Sequence, residues 1–111
     1  MNLDESFIKY KDITLTIVET VKVEEYEKLD ELFNRRQLIL DTINKVNPQK
    51  EELRKVYLKY NIDYLEEKLE IEIKFRKASL LKKMKQNENK QVGMAGYNKL
   101  SAKAVFLSKQ I

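Results

Sequence analysis

Carboxylates at helical spacing are the first feature with chemical potential. Glu66 and Glu70, or Glu67 and Glu70, stand three or four residues apart and could hold a metal ion on a helix surface. Carboxylate di-metal bundles generally add histidines, however, and here Lys68 and Lys74 interleave with the acids. A solvated, ion-paired helix face is the expected reading. The chain has no histidine and no cysteine, so imidazole and thiolate sites and disulfides are excluded. Its serines and threonines have no imidazole to activate them. The only glycines, Gly93 and Gly96, are too few and too late for a phosphate-cradling loop. No catalytic constellation results, and neither an enzymatic activity nor a cofactor is expected.

The side chains that remain informative suit recognition. Tyr57, Tyr60 and Tyr64 lie three and four apart, on one face of a helix. Such a face either packs as core or stays partly open as a groove, where phenol rings give apolar area with a polar rim. Arg36 interrupts an otherwise apolar seam. Its stem can pack while its head reaches a nearby acid, or it can act as a polar specificity residue.

These residues need helices to position them. The chain of 111 residues is 36% charged, with one proline, Pro48, which describes long helices rather than sheet. Asn2 reads as an N-cap with Glu5 three residues on. Leu3, Phe7, Tyr10, Thr14, Ile17 and Val21 then follow four-three spacing over a first helix, residues 1–21. Within it, 14–23 is rich in β-branched residues and Ile13, Leu15 and Ile17 alternate as in a strand, but a lone strand has nothing to pair with. A break is expected around Thr20–Val23, with Thr20 as a cap. A second helix, 22–46, carries Tyr26, Leu29, Phe33, Arg36, Leu40 and Ile43, widened by Leu32 and Ile39. Asn47 reads as the next N-cap and Pro48 as the first position of an uninterrupted third helix, 48–90. The short turn between the second and third helices predicts an antiparallel hairpin. Leu53, Tyr57, Tyr60, Tyr64, Ile71 and Leu81 mark the third helix's expected inner face, and part of its length must be covered by another segment. Gly93 and Gly96 are expected to end it and let the tail, 93–111, change direction and pack back through Tyr97, Leu100, Val105, Phe106 and Leu107. The fold class is thus all-α: an antiparallel hairpin or bundle of three long helices plus a short helical or extended tail, in one domain.

Charge is unevenly spread. Residues 1–46 hold 7 basic and 10 acidic groups, whereas 47–111 hold 15 basic and 8 acidic. The excess concentrates in 74–90, which suits the negative end of a long helix dipole. Only Phe75 interleaves with it, which argues against nucleic acid. The opening "MNLDESFIKY" lacks the apolar core of a signal peptide, and "ITLTIV" is far too short to span a membrane. A soluble cytoplasmic protein without membrane insertion is expected.

The segment "LDELFNRRQLILDTI", residues 29–43, resembles the second-helix pattern of the FliT-like flagellar export chaperones: leucines at helical spacing, an Arg-Gln pair and an apolar run near an acid. The long charged helix after the turn is similar too, as is the ending, where "NKQVGMAGYNKL" supplies Tyr97 and "VFLSKQI" a phenylalanine followed by a charge. The likeness spans roughly residues 25–111. Gly93 and Gly96 depart from the family's more basic, more helical junction, and Ser108 stands where an acid is common.

That resemblance implies a cytoplasmic chaperone of flagellar type III secretion. Its client would be the C-terminal helical segment of the filament-cap protein, kept unassembled and handed to the export ATPase or export gate. The groove would be lined by Leu29, Leu32, Phe33, Leu40, Tyr57, Tyr60 and Tyr64, with Gly93 and Gly96 as the hinge of a cover carrying Tyr97 and Phe106. Chaperoning of hook–filament junction proteins, or a structural coiled-coil adaptor whose seam closes in a homodimer, are the alternative readings.

Overall fold

The computed structural model describes residues 2–85 and 90–101, with the side chains of 90–92 left aside. Five α-helices and one short 3-10 turn make up the described chain: α1 Leu3–Lys22, the turn Tyr26–Lys28, α2 Leu29–Val46, α3 Lys50–Lys59, α4 Ile62–Lys85 and α5 Lys90–Ser101. The all-α class stands, but the layout differs from three long helices and a tail.

Helix α1 begins where the sequence places it. The Asn2 side chain accepts a hydrogen bond from the Glu5 amide at 2.8 Å, satisfying one of the exposed first-turn donors. The β-branched stretch is helical as far as Lys22, and its threonine hydroxyls are satisfied by bonding backward within the helix. Thr14 donates to the Tyr10 carbonyl at 2.7 Å, Thr16 to Asp12 at 3.0 Å and Thr20 to Thr16 at 2.8 Å. Thr20 is therefore an interior residue rather than a cap. The helix closes at Val23, and Glu24 turns the chain with a positive φ of 62°. The entire stripe Leu3, Phe7, Tyr10, Thr14, Ile17 and Val21 is buried.

At the end of α2 the expected cap belongs to the other side of the turn. Asn47 is the C-cap of α2, left-handed at φ 51°, and its amide reaches the Asn44 carbonyl. A residue before proline is disfavoured in the right-handed helical region, and asparagine is one of the few that accept the left-handed one. Pro48 consequently lies outside α3, which starts after an extended Gln49.

The third long helix is two helices. Asn61 adopts φ 52°, its amide bonds the Leu58 carbonyl, and its own carbonyl receives the Leu65 amide. One left-handed residue ends α3 and opens α4, and it resets the helical phase between them.

The expected hairpin of second and third helices is replaced by an arrangement centred on α1. Helix α1 packs extensively against both α2 and α4, and α4 packs against α5 as well. One core cluster gathers Phe7 and Tyr10 with Leu40, Ile43, Val56, Ile62 and Leu65, and the other gathers Ile17 and Val21 with Leu29, Leu32, Leu69, Ile73 and Leu100. The N-terminal half of α1 thus meets the C-terminal half of α2 and the start of α4. Helix α2 therefore runs antiparallel to α1, and α4 runs parallel to it. The described body measures 51 × 21 × 20 Å.

Helix α4, about 36 Å long, outruns its partners. Its far end is covered by α5, which runs back along it, as the need for a covering segment required. Gly93 and Gly96 lie inside α5 with negative φ, so they neither stop a helix nor form its hinge. They are small because neighbours are close: a Cβ at Gly93 would come within 2.8 Å of Met84 Cγ, and one at Gly96 within 2.9 Å of Tyr26 Cδ2. Val105, Phe106 and Leu107 lie outside the described residues.

Candidate protein-binding surface

Between the two apolar clusters sits a buried polar layer. Arg36 of α2 is 2% exposed. Its Nη2 donates to the Tyr10 hydroxyl and its Nε to Thr14 Oγ1 at 3.3 Å, while its guanidinium stands 4.7 Å from the Tyr10 ring centre. Glu66 of α4, equally buried, brings Oε2 to 3.9 Å from Nη2. Burial pushes the Arg36 pKa down, and Tyr10 and Glu66 pull it back up. Of the two roles open to Arg36, the structural one is realised: the head reaches an acid across α1, α2 and α4.

The residues expected to line a client groove do not meet on an open surface. Leu29, Leu32, Phe33, Leu40 and Tyr57 are all buried in the two clusters, where α1 fills the space a client was to occupy. Tyr60 is half-buried and its hydroxyl donates to Asp4 Oδ1 at 3.1 Å, pinning the end of α3 to the start of α1. Lys59 joins the same carboxylate at 3.2 Å, and that bond holds its ammonium above the usual lysine range. Tyr64 alone of the seven is open, at 63% exposure. The three tyrosines do not share a face because the break at Asn61 falls between Tyr60 and Tyr64. In the tail, Tyr97 is half-buried under Lys77 Nζ, 5.4 Å from its ring centre, and Phe106 lies outside the described residues.

Helix α4 instead carries two apolar stripes on opposite sides. Ile62, Leu65, Leu69 and Ile73 point into the core. Ile71 and Leu81, expected inside, are exposed, and Ile71 shares the outward side with Tyr64 and Phe75. Ile71 is 59% and Phe75 62% exposed, and with Tyr64 they line a shallow groove of about 570 Å³. Lys22 of α1 and Glu67, Lys68 and Glu72 of α4 make its polar rim. Contiguous exposed apolar side chains with a polar rim mark interaction surfaces more than single exposed leucines do. The signal was present in the sequence, as Tyr64, Ile71 and Phe75 recur at seven and four, but the same helix offers a second periodic stripe.

Helix α5 is held at its base by Leu100, buried against the second cluster, and by the ion pair of Lys99 with Asp30 of α2. Tyr26 packs on Gly96; burial raises its phenol pKa, with Glu24 and Glu72 adding to the rise and Arg76 opposing it. Arg76 in turn bonds Glu24 at 3.1 Å, tying α4 to the turn after α1.

Among the described residues, no three acidic side chains gather as a metal site would need, and no helix is long and apolar enough to cross a membrane. No protein-family model, no curated protein and no solved structure matches this chain.

Proposed function

We propose that this chain is a helical binding module of chaperone type, holding an amphipathic helix of a partner protein on the outward face of α4. The observation that carries the reading is the exposed stripe Tyr64, Ile71 and Phe75 on a helix whose opposite side is already committed to the core. An amphipathic helix laid along it would bury its own apolar anchors and meet rim charges of both signs. No bond is made or broken in this role.

The resemblance of residues 29–43 and of the ending to FliT-like chaperones supplies the first client to try, the C-terminal segment of the filament-cap protein, and with it a cytoplasmic role in flagellar export. Hook–filament junction proteins are the second client class. The test is calorimetric titration of the full chain with these segments at two salt concentrations, repeated with Phe75→Asp. Micromolar or tighter binding, little affected by salt and weakened by loss of a central aromatic by about 2 kcal/mol, is the expected result. Binding that ignores the substitution would move the client to another face. No binding by any of these tails would overturn the flagellar assignment.

A further inference from the structure

The outward side of α4 has a second property. Tyr64, Lys68, Ile71, Phe75, Ala78 and Lys82 follow alternating spacings of four and three, the repeat of a coiled-coil seam. The helix is also divided in charge. Residues 63–72 carry Asp63 and Glu67, exposed, and Glu70 and Glu72, half-buried, against Lys68, whereas 74–85 carry six basic side chains and no acidic one.

We infer that this face pairs with the same face of a second copy of the chain, the two α4 helices running antiparallel about a two-fold axis near Glu70. A helix acidic in its first half and basic in its second is complementary to its own image turned end for end. Parallel pairing would set like halves against each other. Antiparallel pairing also opposes the two helix dipoles. One register satisfies both stripe and charge. Tyr64 meets Phe75 of the second copy, Ile71 lies along the stem of its Lys68, and Glu67 faces its Lys74. Each contact occurs twice by symmetry, so the association closes at two copies.

The overlap, from about residue 61 to 78, is roughly 27 Å of helix. A single helix pair buries less than the roughly 1,600 Å² of standard stable complexes, so the dimer forms in about the micromolar range and depends on concentration. The inference rests on the geometry and charge of α4 alone. If the client reading also holds, the second copy covers the client face until a client displaces it.

Sedimentation equilibrium of the full chain without any client tests this. The expected result is a monomer–dimer equilibrium weakened at least about tenfold, or 1.4 kcal/mol, by Phe75→Asp. Each of these residues is exposed, and circular dichroism checks that the helices persist. The single substitutions Glu67→Lys and Lys74→Glu weaken the dimer by setting like charges across the axis, and the double substitution restores it. A monomer up to about 300 μM, well above micromolar constants, overturns the inference. So does a dimer indifferent to Phe75→Asp, or charge reversals that fail to rescue each other. The two readings fail separately: a monomer overturns the pairing and leaves client binding to be read from the titration, while a dimer without any client response leaves the pairing standing.

Discussion

Replacing Glu66 by glutamine is the sharpest test of how α2 and α4 are joined. The substitution keeps the size of the side chain and one acceptor oxygen, turns the other into an NH2 donor and removes the charge. Arg36, 2% exposed, would then lose the charge of the carboxylate beside it while keeping the Tyr10 hydroxyl and ring and the Thr14 hydroxyl. Breaking a buried pair by removing one partner's charge typically costs about 3–5 kcal/mol. The hydrogen bonds to Tyr10 and Thr14 that remain place Glu66→Gln at the lower end, about 3 kcal/mol. With 111 residues the unfolding entropy is about 0.23 kcal/mol/K, so the melting temperature should fall by about 13 °C. The control replaces both partners, Arg36→Met with Glu66→Leu. Desolvation of the pair offsets much of its attraction, so this double variant should match or exceed the parent's stability, by up to about 4 kcal/mol. Thermal and urea unfolding followed by circular dichroism would measure both. A loss below about 1 kcal/mol, or about 4 °C, for Glu66→Gln would refute the argument that this carboxylate balances a dry guanidinium.

Two further expectations concern α5. Gly96→Val sets new methyl groups against Tyr26 and Leu80, whose nearest atoms lie only 2.9 and 3.2 Å from where a Cβ would stand, and overpacking of this kind costs about 1–3 kcal/mol. Hydrogen exchange should show α5 amides losing protection, while Gly93→Ala, facing the pliable Met84 side chain and gaining about 1 kcal/mol of helix propensity, leaves them nearly unchanged. Equal tolerance at both glycines would return them to a hinge role. Tyr26 has a pKa raised above 10.0, so its neutral phenol is the form the fold favours. Its contribution is complete below pH 10.0 and lost as pH climbs through the higher folded value. Alkaline titration should therefore loosen α5 in the parent and not in Tyr26→Phe, and a phenolate signal from Tyr26 at the ordinary tyrosine pH would contradict the packing.

Much of this fold is legible in the sequence where one stripe and one cap speak together. Asn2 with the run from Leu3 to Val21 places α1, because the strand-like alternation at Ile13, Leu15 and Ile17 is short and has no second strand to pair with. Arg36 in an apolar seam announces a buried partner, although the seam does not say which acid. The break at Asn61 leaves a weaker trace. No glycine or proline marks it, and asparagine's tolerance of left-handed backbone is a permission rather than a demand. Once that break is missed, the phase of everything after it is wrong, and Ile71 and Leu81 are assigned to the core in place of Leu65, Leu69 and Ile73. Periodicity finds stripes but cannot say which of two faces the interior. The glycines mislead for a different reason. Their spacing of three puts both on one side of a helix, which is the pattern of close packing, while their isolation suggests freedom of backbone.

The position of α1 between α2 and α4 sets an order on synthesis. Helices α1 and α2 are complete at Val46, but the inner stripe of α4 is not finished until Ile73, twenty-seven residues later. At about 5–20 residues per second, the nascent hairpin waits a few seconds with one side of its first helix bare. Contacts that span fifty residues cannot form sooner, however strong the local helices are. Until that side is clothed, the emerging chain has the same need for a holder that the finished one is proposed to meet in others.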